Sequence, residues 1–230
     1  MNKTMITAHS GCEGTPDNSM ASVEAAIRVG ADCTEVDVHL DGEGKLWLIH
    51  DTPVTYEGLV SLDEALTPIL ESGIGVNCDL KHSEALYPTL ALAEGRGLPR
   101  AQLFLSGSVP VQMLLDDPEI VRRARVLLNI ECLLEYMMPD FARNWQSSFD
   151  FAAAHLDELC ALIKKLGVEA VNAPYKYFPA ALREAMEAQG IAFSLWTIND
   201  ESRLPEYLSK NLLNITTRIP SAALRLRDGK

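Results

Sequence analysis

Positive charge is scarce in this chain. Lysine and arginine number 20 against 32 aspartates and glutamates, a net charge of -12 over 230 residues. Such a surface repels phosphate backbones and anionic membranes, which excludes nucleic acid as a natural partner. A small phosphorylated ligand is still allowed, provided that local cationic groups or a metal receive it. No run of 18 apolar residues exists, so no membrane span is expected. The opening MNKTMITAHSG is too short and too polar for a secretory leader, and the cytoplasm is the expected location. The five cysteines, Cys12, Cys33, Cys78, Cys132 and Cys160, are odd in number and form no C-x-x-C pair. That excludes a disulfide scaffold or zinc knuckle and fits buried thiols in a reducing compartment. Cys12, though close to His9, reads as a small loop residue rather than a nucleophile. A G-x-G-x-x-G loop is missing after the first strand, where HSGCEGTPDN stands, which argues against a doubly wound nucleotide fold. No Pro-, Gly- or Ser-rich linker divides the chain, so one domain over 1–230 is the simplest reading, and self-association into a homo-oligomer is compatible with it.

What is present is an ordinary globular composition, 47% apolar and 23% charged, arranged in alternation. Strand-like runs cover 3–8, 32–38, 45–50, 74–79, 101–106, 125–131, 168–172, 191–197 and 212–216. Helix-like runs cover 18–29, 61–71, 83–94, 109–116, 151–166, 178–189 and 200–209. Ser61 and Glu64 spell a capping box. Leu156, Leu159, Ile163 and Leu166 form one apolar stripe closed by Gly167. Strands alternating with helices of ten to sixteen residues predict a parallel sheet. The pair 32–38 and 45–50, joined by DGEGK, has no helix between its members and is either a hairpin or a helix-free connection. With that irregularity the count approaches a (β/α)8 TIM barrel.

Four polar clusters end apolar runs: His9; Glu35 and Asp37; His50 and Asp51; Asp79 and Lys81. Residues two apart on a strand share a face, so Glu35 and Asp37 point one way, Val36 and Val38 the other. Asp79 and Lys81 pair likewise across Leu80. In a barrel such groups converge on the C-terminal rim. Three carboxylates together raise one another's pKa unless a cation joins them. An all-oxygen set from Glu35, Asp37 and Asp79 suits Mg²⁺ or Ca²⁺, with Mn²⁺ also admissible, and leaves His9 and His50 for proton transfer. Each of these residues taken alone could be a solvated or salt-bridged strand end; together they point to a site. Weaker rim candidates are Glu131, at the end of 125–131, and Asn172, Tyr175, Lys176 and Tyr177 in NAPYKYF.

These motifs, in this order, resemble the glycerophosphodiester phosphodiesterase family from Met5 to about Pro220. The family's His-Arg-Gly is matched by His9-Ser10-Gly11, Pro-Glu-Asn-Thr by Pro16–Ser19, and Glu-x-Asp-Val by Glu35–Val38. His-Asp is matched by His50-Asp51, Glu-x-Lys by Asp79–Lys81, Trp-Thr-Val-Asn by Trp196–Asn199, and Thr-Asp-x-Pro by Thr217–Pro220. The resemblance implies a (β/α)8 barrel of the phospholipase-C-like type, active in lipid metabolism, that hydrolyses a small-molecule phosphodiester with one divalent cation. It makes His9 and His50 the acid and base, Glu35, Asp37 and Asp79 the metal ligands, Lys81 a phosphate contact and Trp196 a wall of the alcohol pocket.

The departures carry information too. Ser10 replaces the family's phosphate-binding arginine, and a hydroxyl cannot reproduce a bidentate, permanently charged fork. Asp17 stands for glutamate, Asp79 for the third metal glutamate, and Arg218 for the closing aspartate. The stretch after Asp51, TPVTYEGLV, is shorter than in typical relatives. One reading is an active enzyme on a different diester, such as a sugar phosphodiester, with Arg218 supplying the charge that Ser10 lost. The other is a weak or inactive barrel that binds a phosphorylated small molecule.

Overall fold

The computed structural model describes residues 3–138 and 144–229; Met1, Asn2, 139–143 and Lys230 lie outside the described residues. Eight parallel strands close on themselves: β1 (Met5–Ala8), β2 (Cys33–Leu40), β4 (Gly75–Leu80), β5 (Leu103–Gly107), β6 (Arg125–Asn129), β7 (Ala170–Pro174), β8 (Phe193–Trp196) and β9 (Asn214–Thr217). β1 bonds both β9 and β2, which completes the barrel. The ninth strand, β3 (Leu46–Leu48), runs antiparallel to β2, with Val38 opposite Leu48 and Leu40 opposite Leu46. The helix-free connection is therefore a hairpin on the outside of the barrel, and His50 lies just beyond its second strand.

The helices are α1 (Met20–Val29), α2 (Leu62–Ser72), α3 (Leu86–Gly95), α4 (Val111–Asp116), α5 (Ile120–Arg123), α6 (Ile130–Met137), α7 (Trp145–Ala154), α8 (Leu156–Leu166), α9 (Ala180–Ala188), α10 (Leu204–Leu208) and α11 (Pro220–Asp228). The Ser61–Glu64 capping box opens α2, and Gly167, in the left-handed region, closes α8. Three expectations change. The helix expected over 151–166 is two helices meeting at His155. Strand 125–131 stops at Asn129, where α6 begins, so Glu131 sits in a helix's first turn rather than on a strand. A final helix, α11, follows Pro220. Among the described residues no helix is long and apolar enough to cross a membrane.

Two cores follow from the strand period. Outward residues such as Val36, Val38, Val76 and Leu105 pack with the helices in one large apolar cluster. Inside the barrel, Cys33, Phe104, Leu127 and Ala170 form a separate plug, with Met5, Ala192 and Leu213 against it. Two residues further along each strand the inward side chains turn polar: Glu35 after Cys33, Ser106 after Phe104, Asn129 after Leu127, Asn172 after Ala170. The plug thus closes the N-terminal end of the barrel and leaves a polar well above it.

Candidate active site

The well is a cavity of about 280 Å³. It is lined by His9 after β1, Glu35 and Asp37 on β2, Asn77, Asp79 and Lys81 on and after β4, and Ser106 on β5. Asn129, Glu131, Asn172, Trp196, Thr197 and Thr216 complete its wall, with His50 at the edge. Every parallel strand contributes, at its C-terminal end, as barrel geometry favours. A larger hollow of about 460 Å³ at the other end, lined by Lys3, Thr4, Lys210 and Asn211 among others, has no carboxylate or histidine in its wall.

Parallel pairing sets the acids side by side: Asp37 is opposite Asp79, and Glu35 is opposite Asn77. One oxygen from each of Glu35, Asp37 and Asp79 lies within 4.8 Å of the others, close enough to hold a metal ion together. Lys81 bridges two of them, its Nζ 2.5 Å from Asp37 Oδ1 and 2.5 Å from Asp79 Oδ2. Burial works to lower the Lys81 pKa, but Asp79 and Asp37 outweigh it and hold the amine charged. Glu35 is pushed well above the ordinary carboxylate range, by burial first and then by the charges of Asp37 and Asp79. One ammonium against three carboxylates leaves a surplus of negative charge in a dry place, which fits a divalent cation bound by oxygen.

Neighbours fix each acid. The Ser10 amide donates to Glu35 Oε2 at 2.9 Å. Asn18 holds Asp37 at two points: its Nδ2 donates to Asp37 Oδ2 at 2.7 Å, and its Oδ1 accepts the Asp37 amide at 2.9 Å. Ser106 donates to Asp79 Oδ1 at 2.7 Å. Gly107, at φ +76°, makes room for this corner: a Cβ there would stand 2.3 Å from the Leu80 carbonyl and 3.0 Å from Asp79 Oδ1.

The histidines differ. His9 is mostly buried, and its Nδ1 lies 2.7 Å from the Ser10 carbonyl. A carbonyl only accepts, so Nδ1 carries the hydrogen and Nε2 is left as a lone pair. Burial pulls the His9 pKa below its usual value, and Arg218 adds to that. His50 is exposed and its Nδ1 lies 2.8 Å from Asp51 Oδ1. The short loop after it is tied back: Thr52 and Tyr56 each reach His39 at 3.3 Å, and Tyr56 stacks on Trp47.

Ser10, Asp17, Arg218, Tyr175, Lys176 and Tyr177 stand apart from the cavity wall. The Ser10 side chain is buried, and its Oγ accepts the Asn18 amide at 2.7 Å. Arg218 does not face the cavity; it clasps Asp17 with two hydrogen bonds, of 2.6 and 3.0 Å, over Gly11, where a Cβ would collide with both. This fork lowers the Asp17 pKa. Of the NAPYKYF residues only Asn172 lines the cavity, while Tyr175 packs on Tyr207 and Tyr177 is exposed. Cys12 is buried and burial raises its thiol, consistent with a packing role. Sequence reasoning passed over Asn77, Ser106, Asn129 and Thr216, although Asn77 precedes Asp79 by two and so had to share its face.

The closed (β/α)8 barrel thus gathers three clustered carboxylates and two histidines at its C-terminal rim. The chain belongs to the glycerophosphoryl diester phosphodiesterase family, whose model matches residues 9–154. A glycerophosphodiester phosphodiesterase of Caldanaerobacter subterraneus is 36% identical over 93 residues, 38% of each chain. One from Bacillus altitudinis is 47% identical over 118 residues, 37% of this chain and 48% of its own. The chain thus matches less than half the length of these curated relatives. Among solved structures, a glycerophosphodiester phosphodiesterase from Parabacteroides distasonis aligns over 99% of both chains with a TM-score of 0.72 at 18% identity. An Oleispira antarctica phosphodiesterase, solved in complex with the product sn-glycerol-3-phosphate, covers 98% of this chain and 97% of its own, with a TM-score of 0.71 at 20% identity. At these identities the structural likeness speaks for the fold.

Proposed function

We propose that the protein hydrolyses a phosphodiester carrying a glycerol-like or sugar-like alcohol, with a divalent cation held by Glu35, Asp37 and Asp79. The observation that carries this reading is the placing of those three carboxylates, within reach of one ion, beside His9 and His50 in one cavity. A cation bound there would polarise a phosphoryl oxygen and make an adjacent hydroxyl or water more acidic.

The protein's own groups do the rest. His9, neutral and with Nε2 as its lone pair, accepts the proton of the attacking hydroxyl. His50, whose Nδ1 lies 2.8 Å from Asp51 Oδ1, delivers a proton to the leaving alcohol. Lys81 is the one lysine or arginine among the described residues of the cavity wall, and it meets the phosphate. Trp196 Nε1 and Asn172 Oδ1 are buried without hydrogen-bond partners, a donor and an acceptor suited to the hydroxyls of a polyol. Attack by a neighbouring substrate hydroxyl would give a cyclic phosphate, which water then opens.

The test is turnover of glycerophosphocholine and of bis(4-nitrophenyl) phosphate with Mg²⁺, Ca²⁺ or Mn²⁺, and its loss with EDTA. The engagement of Arg218 by Asp17 favours the second reading, a barrel that only binds its ligand. No turnover with any of the three ions, together with no calorimetric heat of cation binding, would decide for it.

A further inference from the structure

Asn77 sits on β4 with its side chain in the cavity and is nearly fully buried, at 3% exposure. Its two amide atoms have different fates. Nδ2 donates to Ser106 Oγ at 3.0 Å, and Ser106 in turn donates its only hydrogen to Asp79 Oδ1 at 2.7 Å. That chain fixes the orientation of the amide: Ser106 Oγ, having given its hydrogen to a carboxylate, can only accept, so the atom facing it must be the NH2. Asn77 Oδ1 is left buried with no partner. A buried amide oxygen without a hydrogen bond is uncommon and costly, and calls for an explanation.

The register supplies one. Asn77 is directly opposite Glu35, and Asp79 directly opposite Asp37, on neighbouring parallel strands. Strands lie about 4.8 Å apart, so the four inward side chains form a square of oxygen-bearing groups. Three of them are the carboxylates whose oxygens lie within 4.8 Å of one another. The third, Asp79, is a short acid, one methylene less in reach than the glutamate that the family pattern carries there. A neutral carbonyl-type oxygen adds a ligand without adding a fourth negative charge, and hard divalent ions accept amide oxygens readily.

We infer that Asn77 Oδ1 is a fourth protein ligand of the cation held by Glu35, Asp37 and Asp79, and that Ser106 is the positioning residue that sets both Asn77 and Asp79. This inference rests on the proposed cation site. It makes the site larger and richer in protein oxygen than three carboxylates alone, which favours Ca²⁺ over the smaller, more hydrated Mg²⁺.

Calorimetric titration of the full chain with CaCl2 and MgCl2 tests it, with circular dichroism as a check of folding. Wild-type protein that binds neither ion would remove the cation site itself, and the inference with it. If wild type binds, Asn77→Leu, which keeps the bulk and loses the oxygen, should weaken the Ca²⁺ Kd about 10-fold or more, with a smaller loss for Mg²⁺. Ser106→Ala should weaken it by about 10-fold, the size expected when a residue behind a ligand is removed. Asn77→Asp, which places a charged oxygen at the same spot, should tighten Ca²⁺ binding about 10-fold. Wild-type Ca²⁺ affinity in a folded Asn77→Leu protein would overturn the inference, and so would an unchanged Kd in Asn77→Asp if the leucine variant does not fold.

Discussion

Replacing Lys81 by methionine isolates the electrostatics of the well. The change keeps an unbranched side chain of similar length and removes the ammonium that bridges Asp37 and Asp79 at 2.5 Å each. Breaking a buried ion pair from one side costs about 3–5 kcal/mol, because the partner charge is stranded. The lower end applies here, since Lys81 and Asp79 keep 16% and 20% of their side-chain surface in solvent. For a protein of this size, about 3 kcal/mol lowers Tm by roughly 6–12 °C. The assay is a calorimetric melt in EDTA at two pH values, repeated with excess Ca²⁺. The sign of the pH effect follows from Glu35. Its folded pKa is raised, by burial first and then by Asp37 and Asp79, so the fold holds that proton more tightly than the unfolded chain does. Its contribution therefore favours the fold below the unfolded pKa and is lost as pH rises through the folded one. Lys81 opposes that rise, so the variant's deficit should be larger at pH 8 than at pH 5.5. Added Ca²⁺ should recover more Tm in the variant than in wild type. A Lys81→Met protein melting within about 2 °C of wild type in EDTA at pH 8 would refute the reasoning.

Four other outcomes are expected. Because Glu35 holds its proton above the usual carboxylate range, cation binding should release protons at pH values above that range, and the Kd should weaken as pH falls; titrations in buffers of different ionisation enthalpy would read the protons directly. His9→Ala and His50→Ala should each lower kcat/KM by about 10² or more on any diester that the wild type turns over, and full activity in either would break the acid/base assignment. Gly107→Ala should cost about 2–3 kcal/mol and weaken cation binding, since its Cβ meets the Leu80 backbone and Asp79; a melt and a titration on one sample test both. Arg218→Ala should change kcat/KM by less than about 3-fold, because the fork is already filled by Asp17 in a partly exposed pair, and a loss near 10²-fold would instead place the guanidinium on the phosphate.

The sequence disclosed the barrel because its period changed cleanly at most boundaries, with Ser61 and Gly167 marking helix ends. It disclosed Glu35, Asp37, Asp79 and Lys81 because a charge inside an apolar strand pattern has few other places to go. It failed where such marks are lacking. The run RVLLNIECLLEY passes from strand to helix with no glycine or proline, so the expected strand overruns the observed one by two residues and takes in Glu131. The break at His155 has no breaker residue either. Pro220 did carry a signal, proline at a helix's first turn, that would have found α11. The Arg218–Asp17 clasp joins residues 201 positions apart, and no local pattern could tell that fork from one aimed at a ligand.

The plug of Cys33, Phe104, Leu127 and Ala170 has a consequence for traffic. With the floor of the barrel sealed by packed side chains, a ligand reaches the well from the C-terminal rim. A bound ligand leaves by the path along which the next must arrive, so the two cannot pass. A ligand that left the well slowly would therefore hold off the next one.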